Sequence, residues 1–415
     1  FEVIVVDDGS TDRTGDIAEE YGFRVIRTSN RGLSNARNVG LNAAAGEIVA
    51  YIDDDAYPDP HWLFYLAFVF RTSDYVGVGG PNLVPAEDGP LAHCVANSPG
   101  GPVHILLTDR EAEHIPGCNM AFRRHALQAI DGFDPRFRVA GDDVDVCWRL
   151  LERGWKLGFS PSALVWHHRR SSIRAYWKQQ KGYGQAEALL EAKWPAKYNF
   201  AGYATWSGRI YDHTPRPIFA NKSRVYHGVW GTAPFQHVYE PPASTLQSLP
   251  HIPEWHLITA ALLLITPIGA FWEPLLWTLP TLMVMLGLSV WQGVQGARAA
   301  RFNGRLWSKK ALLGLRLVTA FLHIIQPLAR LHGRIRYGLA PWRYRGSATL
   351  CLPRVMTVKK WTGRWRSGEE RLQSIESDLR TTRHFVVIGG ESDPWHLEVR
   401  GGFLGAARLL GAIEE

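Results

Sequence analysis

Cysteine is scarce in this sequence, with four residues among 415, at Cys94, Cys118, Cys147 and Cys351, and no two of them form a paired motif. This spacing excludes a disulfide framework and a cysteine-based zinc site, and it fits a reducing compartment. No nucleic-acid-binding motif is present, although the net charge is +7. The basic residues crowd after Gly296, beside the most apolar segments, so the charge indicates a membrane surface as partner and no nucleic acid.

The sequence also has no initiator methionine and no leader, because Phe1 opens directly into the apolar strand FEVIVV. We therefore expect that the N-terminal strand of the first domain is missing from this chain. The chain stops at Glu415 straight after a helical run, so we expect the C-terminal region to be truncated as well.

Three consecutive aspartates follow a short apolar run in the stretch GEIVAYIDDDAYP. Residues 48–52 predict a buried strand, because the run is rich in β-branched residues and alternates only weakly. Asp53, Asp54 and Asp55 cannot be buried at its end without a partner, since an unpaired charge in an apolar layer is costly. A divalent cation, Mg²⁺ or Mn²⁺, is the economical partner for hard oxygen ligands. Taken alone, the triplet also fits a turn or a helix cap before Pro58.

Strands alternate with helices from Glu2 to Gly79, and this order predicts an α/β fold with a mostly parallel sheet. Asp7 and Asp8 end the first apolar strand, so we expect them at the same sheet edge as the aspartate triplet. A carboxylate there can accept hydrogen bonds from a nucleobase or a ribose, and Arg37 can face a diphosphate. Read singly, Asp8 fits a turn equally well, and Arg37 fits a solvated helix face.

Two later motifs carry further titratable groups. The run GDDVDVCWRL predicts a helix with Asp142 and Asp143 in its first turn, where capping alone would account for them. His167 and His168 end a predicted strand. Paired histidines are commonly surface residues, but imidazole is also a usual third ligand of a transition metal. Both histidines remain candidates, and His168 is our prediction for the ligand.

Taken in order, the motifs DDGSTD, RGLSNARNVG, GEIVAYIDDDAYP, GCNMAFRR, GFD, GDDVDVCWRL and HH resemble the inverting glycosyltransferases of family 2. The resemblance runs from the first strand to the helix that follows the two histidines. It implies a GT-A fold, which is a Rossmann-like catalytic domain. It also implies an enzyme that transfers a sugar from a nucleotide-sugar to an acceptor hydroxyl by a single, inverting displacement.

The resemblance gives roles to individual residues. Asp8 matches the contact to the nucleobase, and Asn119 matches the acceptor side of the pocket. Asp143 matches the catalytic base, and we expect nearby carboxylates and partial desolvation to raise its pKa. Asp55 matches the direct metal ligand of the Asp-x-Asp motif. The complete predicted site has Asp143 as base, Asp7, Asp8, Arg37, Asn38, Asp53, Asp54, Asn119 and Asp142 as substrate-binding residues, and Asp53, Asp55 and His168 as metal ligands.

The sequence departs from the family at two places. The Thr-Tyr-Asn-like segment that usually binds the base is absent before Phe1. The Gln-x-x-Arg-Trp motif of processive synthases is also not found, and QQKGYG lies roughly at its place. The second departure predicts the transfer of a single sugar instead of processive polymer synthesis.

Two nearly charge-free runs, 257–272 and 275–291, are flanked by tryptophan and followed by basic residues. This pattern favours a transmembrane hairpin over two buried core helices. A hairpin returns the chain to the side it left, and nucleotide-sugars together with positive-inside loops place that side in the cytoplasm, at the inner membrane. Residues 312–331 contain Arg316 and Arg330, so we expect an in-plane interfacial helix there instead of a third span.

Five regions are therefore predicted: a GT-A domain at 1–195, an irregular aromatic-rich connector at 196–254, a transmembrane hairpin at 255–295, a basic loop with an interfacial helix at 296–340, and a cytoplasmic C-terminal region at 341–415. Together they predict a membrane-associated, metal-dependent hexosyltransferase-type enzyme of cell-envelope or exopolysaccharide biosynthesis, acting on a glycan or lipid-linked acceptor. Two alternatives remain open. One is a sugar-phosphate transferase that uses the same carboxylates for phosphoryl chemistry. The other is a nucleotide-sugar-binding membrane scaffold without turnover.

Overall fold

The structure, a computed structural model, describes residues 1–198 and several later segments, at 202–204, 206, 224–228, 236–240, 249–302, 307–342, 367–381, 385–388, 396–401 and 405–409. Much of the predicted connector and of the predicted C-terminal region therefore lies outside the described residues. The chain forms two compact units. The first contains residues 1–189 and 208–337, and the second contains residues 190–207 and 338–415.

The N-terminal half alternates short strands with helices. Its helices are α1 (Thr14–Glu20), α2 (Leu33–Ala43), α3 (Trp62–Thr72), α4 (Pro90–Ala96), α5 (Arg124–Ala129), α6 (Asp142–Glu152) and α7 (Ile173–Lys193). Its strands are β1 (Ile4–Asp7), β2 (Arg24–Arg27), β3 (Ile48–Ile52), β4 (Ala56–Pro58), β5 (Gly77–Gly79), β6 (Asn82–Leu83), β7 (Ile105–Leu106), β8 (Glu111–His114), β9 (Asn119–Arg123), β10 (Leu157–Phe159) and β11 (Val165–His167).

A six-stranded mixed sheet, in the order β3-β9-β5-β10-β8-β7, lies at the centre of this half. Strands β5 and β10 are parallel neighbours, whereas the other four neighbouring pairs are antiparallel. Strands β1 and β2 form a separate parallel pair, and β4, β11 and β6 form a small mixed sheet. The α/β class is confirmed. The strand directions are more mixed than expected, because β9 follows a loop-rich stretch and enters antiparallel between β3 and β5.

Apolar side chains bury both faces of the central sheet. In β9, Met120 and Phe122 point into one core and Ala121 into the other, as the two-residue period of a strand requires. Helix α3 covers the second face through Trp62, Leu66 and its neighbours, which recur at helical spacing. Each large side chain buried in this way contributes about 1.5–3 kcal/mol of hydrophobic free energy. This rigid sheet fixes the positions of the loops at its edge.

The turn between β3 and β4 carries the aspartate triplet, and its place follows from strand pairing. Strand β4 pairs antiparallel with β11, and the register sets Ala56 opposite His167. The last residue of β11 therefore lies beside the turn that Asp53 begins and Asp55 ends. The register alone brings together residues that are far apart in the sequence.

The apolar C-terminal part of the first unit consists of helices α8 (Pro253–Ile265), α9 (Thr278–Ala299) and α10 (Lys309–Arg336), with 3₁₀ turns at Leu249–His251, Thr266–Ala270 and Glu273–Trp277. Two stretches, Glu273–Ala299 and Lys309–Arg336, are long and apolar enough to cross a membrane. Helix α8, which overlaps the first run of the predicted hairpin, has 13 residues, fewer than the roughly 20 that a bilayer requires. The segment predicted as interfacial lies inside α10, one of the two stretches with spanning length.

The remaining elements of the described chain are smaller. Strands β12 (Arg224–Gly228) and β13 (Gln236–Glu240) form an antiparallel pair in the first unit. The second unit contains a 3₁₀ turn at Pro195–Lys197, helix α11 (Gly368–Thr381) and an antiparallel sheet of β14 (Phe385–Ile388), β15 (Leu397–Gly401) and β16 (Gly405–Leu409).

Helix α10 contacts α7 through two of its polar side chains. Gln326 Nε2 donates to Gln180 Oε1 at 3.1 Å, and Arg330 pairs with Glu187 at 2.8 Å. Leu317 is exposed, and so is its neighbour Arg316. The protein therefore satisfies Gln326 and Arg330 within the fold.

Candidate active site

Asp53, Asp55 and His167 form a cluster at the junction of β3, β4 and β11. One potential ligand atom of each lies within 4.8 Å of the others, and Nε2 of His167 is 3.0 Å from Oδ1 of Asp55. Two carboxylates and an imidazole are a donor set that suits Mn²⁺, and the carboxylates alone suit Mg²⁺. The residues therefore fit a divalent cation.

Positive groups surround the Asp55 carboxylate. Burial alone would raise the pKa of Asp55, but the hydrogen bond and charge of His167 and the charge of Arg170 outweigh burial and lower it. The Arg170 guanidinium lies 3.1 Å from Oδ2 of Asp55, and Arg169 contacts the other ring nitrogen of His167. The Asp55 carboxylate therefore stays ionised, as metal binding requires.

The second histidine of the pair faces another partner. Nδ1 of His168 lies 2.5 Å from Oδ1 of Asp88, and its ring is 5.8 Å from the ring of Tyr57. Consecutive strand residues point to opposite faces, so only one of the two histidines can face the aspartates. The structure places His167 in the cluster, and it does not bring His168, our predicted ligand, into it.

Arg37 joins this cluster to the start of α6. Its side chain is only 7% exposed; it contacts Asp142, and its Nη2 lies 3.1 Å from both Oδ1 of Asp53 and the carbonyl oxygen of Gly117. Burial alone would lower the pKa of Arg37, but Asp142 and Asp53 outweigh it and raise the pKa. The guanidinium predicted to face a diphosphate is thus engaged with carboxylates inside the protein.

The two aspartates at the start of α6 have opposite electrostatic environments. Asp142 is almost fully buried, and burial raises its pKa to about 6 in spite of Arg37. Burial would also raise the pKa of Asp143, but a hydrogen bond and charge from His114, the charge of Arg37 and the N–H of Gly117 hold it at about 2. We expected a raised pKa for Asp143. The expectation was wrong, because the donors and cations around this carboxylate outweigh its desolvation.

Asp7 and Asp8 both accept hydrogen bonds from backbone N–H groups. The N–H of Ser10 donates to Asp7 at 2.8 Å, and Ser10 lowers the pKa of Asp7. Asp8 accepts from the N–H groups of Arg31 and Gly32, at 3.0 and 2.7 Å, and from the hydroxyl of Thr28 at 3.0 Å. Asp8 therefore fixes the loop before α2, and its contact with a nucleobase remains a prediction.

Two predicted substrate residues hold the fold together. Asn119 is fully buried, and it accepts from the indole N–H of Trp62 and donates to the carbonyls of Pro81 and Ala163, at 2.8–2.9 Å. The Asn38 amide both donates to and accepts from the backbone of residue 133 at 2.7 Å. Direct contact of either residue with a substrate remains a prediction. Asp54, by contrast, is exposed in the turn.

Four residues near these carboxylates were not assigned a site role from the sequence: His114, Arg169, Arg170 and Tyr183. His114 lies 3.4 Å from Asp143. Burial, and then the charge of Asp143, raises the pKa of Tyr183 to about 12. Arg169 and Arg170 follow the two histidines directly in the sequence, and this position could have identified them as candidates. His114 and Tyr183 belong to none of the recognised motifs, so only the fold reveals them.

The domain combines a mixed α/β sheet with aspartates at a strand end and at a facing helix N-terminus. The class of protein follows from comparison with known families. Residues 1–131 match the family model described as glycosyl transferase family 2. The resemblance to family 2 is therefore confirmed for this domain, which is a GT-A-like mixed α/β domain.

Two relatives and one solved structure illustrate the similarity. The chain is 31% identical over 211 residues to the pre-mycofactocin glycosyltransferase of Mycobacterium tuberculosis, covering 48% of this chain and 44% of that one. It is 26% identical over 215 residues to a poly-beta-1,6-N-acetyl-D-glucosamine synthase of Staphylococcus epidermidis, covering 47% and 50%. The mannosyltransferase PcManGT from Pyrobaculum calidifontis, solved with GDP-Man and Mn²⁺, shares 23% identity at a TM-score of 0.36, covering 46% of this chain and 54% of that one. The chain thus spans about half the length of the curated relatives it matches.

Proposed function

We propose that this protein transfers a sugar from a nucleotide-sugar to a hydroxyl group of a glycan or lipid-linked acceptor, in a metal-dependent, inverting reaction. The observation that carries the proposal is the convergence of Asp53, Asp55 and His167 with Asp142 and Asp143 on a family 2 domain, joined through buried Arg37. Nucleotide-sugar transfer is the activity of this family. The metal, the acceptor and the stereochemistry are our inference.

Asp53, Asp55 and His167 would hold the cation, Mn²⁺ or Mg²⁺. A bound divalent cation would neutralise the charge that develops on the departing nucleoside diphosphate. Arg170 is exposed beside Asp55 and is the protein cation available to the same diphosphate. The donor would therefore lie along the turn between β3 and β4, with exposed Asp54 toward its sugar or ribose.

Asp143 is the residue that would receive the proton of the acceptor hydroxyl. The acceptor oxygen attacks the anomeric carbon while the bond from that carbon to the diphosphate breaks, so one base is sufficient for inversion. No covalent sugar–enzyme intermediate is formed, and no nucleophilic serine or cysteine is required. Buried Cys118, whose pKa burial raises, is consistent with this, since it is held as a neutral thiol.

The apolar region supports a membrane-associated enzyme with its catalytic domain in the cytoplasm. Only 17% and 33% of the most apolar parts of Glu273–Ala299 and Lys309–Arg336 are buried, which is unusual for core helices. Similarity to a poly-beta-1,6-N-acetyl-D-glucosamine synthase supports a role in polysaccharide or cell-envelope synthesis. We infer a lipid-linked or envelope glycan as acceptor, at the inner membrane.

Calorimetric titration of UDP-, GDP- and dTDP-sugars onto the detergent-solubilised protein, with and without Mn²⁺, tests this proposal. We expect metal-dependent binding of one donor, loss of that binding in Asp55→Ala, and release of nucleoside diphosphate when an acceptor is added. Asp143→Asn should bind donor and metal normally but turn over more slowly by a factor of about 10²–10⁴. Nucleotide incorporated into the product would indicate a sugar-phosphate transferase, and binding without any turnover would indicate a scaffold.

A further inference from the structure

A buried histidine lies directly behind the candidate base. His114 ends strand β8 and is 8% exposed, and its Nε2 is 3.4 Å from Oδ2 of Asp143. Its other ring nitrogen, Nδ1, lies 3.1 Å from the carbonyl oxygen of Val103. None of the motifs that carry the family resemblance includes His114. The imidazole thus connects a fixed backbone acceptor to the carboxylate of α6.

The Val103 contact determines which nitrogen carries the hydrogen. A carbonyl oxygen only accepts hydrogen bonds, so Nδ1 must be the N–H in the neutral imidazole. Nε2 then carries its lone pair on the side of the ring where Oδ2 of Asp143 lies 3.4 Å away. The contact becomes attractive when one proton lies between them. The two side chains together therefore form a site for one additional proton.

We propose that Asp143 and His114 act as a single base, in which the proton taken from the acceptor hydroxyl comes to rest on Nε2 of His114. The inference rests on the proposed function, which makes Asp143 the group that faces the acceptor. The acceptor oxygen forms its bond to the anomeric carbon, and the bond to the diphosphate breaks with its electron pair leaving on the nucleoside diphosphate. The acceptor proton moves to the Asp143 carboxylate and from there to Nε2. The products are an imidazolium beside a carboxylate, and no oxidant or reductant is needed.

The environment of Asp143 explains why a second proton site is useful. Oδ2 accepts from the N–H of Gly117 and Oδ1 from the N–H of Val144, both at 2.9 Å, and these bonds favour the charged carboxylate. Asp143 alone is accordingly a weak base. Nε2 of His114 lies 3.4 Å from Oδ2 of Asp143, so an imidazolium there and the charged carboxylate would attract each other. The pair accepts a proton more readily than Asp143 would alone.

The titratable and charged groups around the pair come from three helices and one loop. Burial, and then the charge of His114, lowers the pKa of His104 to about 3, so this neighbour stays neutral and adds no positive charge. Arg37 is permanently charged, and a raised pKa keeps Tyr183 in its neutral phenol form. The groups that act on the pair are His104 of the loop before β7, Arg37 of α2, Asp142 of α6, Cys147 of α6 and Tyr183 of α7.

The first test compares pH profiles of kcat for the full protein and for His114→Gln. Glutamine can keep the hydrogen bond to Val103 but cannot hold the proton. We expect kcat to fall roughly tenfold to a hundredfold with the donor KM little changed, and the acid limb of the profile to move to lower pH. His125→Gln, a histidine exposed on α5, is the matched control and should behave as the wild type. An unchanged kcat and an unchanged acid limb in His114→Gln would overturn the proposal.

A second test needs no turnover and therefore separates this inference from the proposed function. The ¹⁵N signals of His114, assigned by their loss in His114→Gln, are titrated in the wild type and in Asp143→Asn. We expect the titration midpoint of His114 to differ between the two proteins, because Asp143→Asn removes the carboxylate that lies 3.4 Å from Nε2. Equal midpoints would refute the pair. If no donor is turned over at all, the proposed function fails while this titration still decides whether the pair exists.

Discussion

Replacing Arg37 by methionine should be among the most damaging single changes in the catalytic domain. Methionine has a similar length and an apolar side chain, but it leaves Asp142 buried without its cation. It also removes the contacts to Asp53 and to the carbonyl of Gly117. Breaking a buried ion pair by removing one partner costs about 3–5 kcal/mol, because a charge remains in a medium that solvates it poorly. We expect the loss in the free energy of unfolding to approach that size at a pH at which Asp142 is ionised.

The pH dependence gives this prediction a second signature. The pKa of Asp142 is already raised to about 6 by burial, and the loss of Arg37 raises it further. A carboxyl with a raised folded-state pKa binds its proton more tightly in the folded protein than in the unfolded chain. Stability is therefore greatest at low pH and falls as the pH rises through the folded pKa. The deficit of Arg37→Met should be larger near pH 8 than near pH 5. It grows by roughly 1.4 kcal/mol for each pH unit above about 6, until the pH passes the pKa of Asp142 in the variant.

Urea unfolding of the solubilised protein, followed by tryptophan fluorescence at several pH values, measures this deficit. Arg37→Lys is the first control, because it keeps the charge and should lose less stability. The double variant Arg37→Met with Asp142→Leu is the second, because it leaves no unpaired carboxylate at Asp142 and should recover part of the loss. A deficit below about 1 kcal/mol at pH 8, or one that does not depend on pH, would refute the buried ion pair between Arg37 and Asp142.

Three further predictions test the metal cluster, the core amide and the packing of α7. His167→Ala should weaken Mn²⁺-dependent donor binding at least about tenfold in calorimetry, whereas His168→Ala should leave it unchanged, and the reverse result would make His168 the ligand. Asn119→Ala should lower the thermal midpoint of unfolding and leave the donor affinity of the folded fraction normal. Each buried group that loses its partner should cost about 1–3 kcal/mol of the free energy of unfolding. Gly184→Ala would place a Cβ 2.2 Å from the backbone oxygen of Arg330 and should destabilise the protein, whereas Gly182→Ala meets its nearest atom at 3.3 Å and should be tolerated. Equal stability of the two glycine variants would contradict close packing of α7 on α10.

The local sequence pattern predicted the elements that are determined by residues close together in the chain. The strand at Ile48–Ile52 and the acidic first turn of α6 both lie where the pattern put them. The partner of Asp55 was less accessible to sequence reasoning, because His167 reaches it only through the β4–β11 register. A shift of one residue in that register would have faced His168 toward the cluster instead. Sequence could name the pair of histidines but not the one that faces inward.

The roles of Arg37 and Asn119 show a second limit. Their residue types suit substrate binding, and the family motifs contain them, so substrate contact was a reasonable prediction. Their hydrogen-bond partners, however, lie up to 105 residues away in the chain and become neighbours only after the sheet and α6 have formed. The same applies to the pKa of Asp143. Nearby carboxylates are visible in the sequence, whereas His114 and the N–H of Gly117 approach it only in the fold.

The charged residues counted over the whole of helix α10 are a poor guide to its contact with a membrane. Arg330 was one reason to expect an in-plane helix, since a charge is costly within a bilayer. In the structure Arg330 pairs with Glu187 of α7, and Gln326 bonds to Gln180, so these groups are satisfied within the protein. Leu313, Leu317 and Phe321 are exposed, and so is Arg316. A charge that is paired inside the protein is no argument against lipid on the opposite face, so what decides the membrane contact of α10 is the composition of that face.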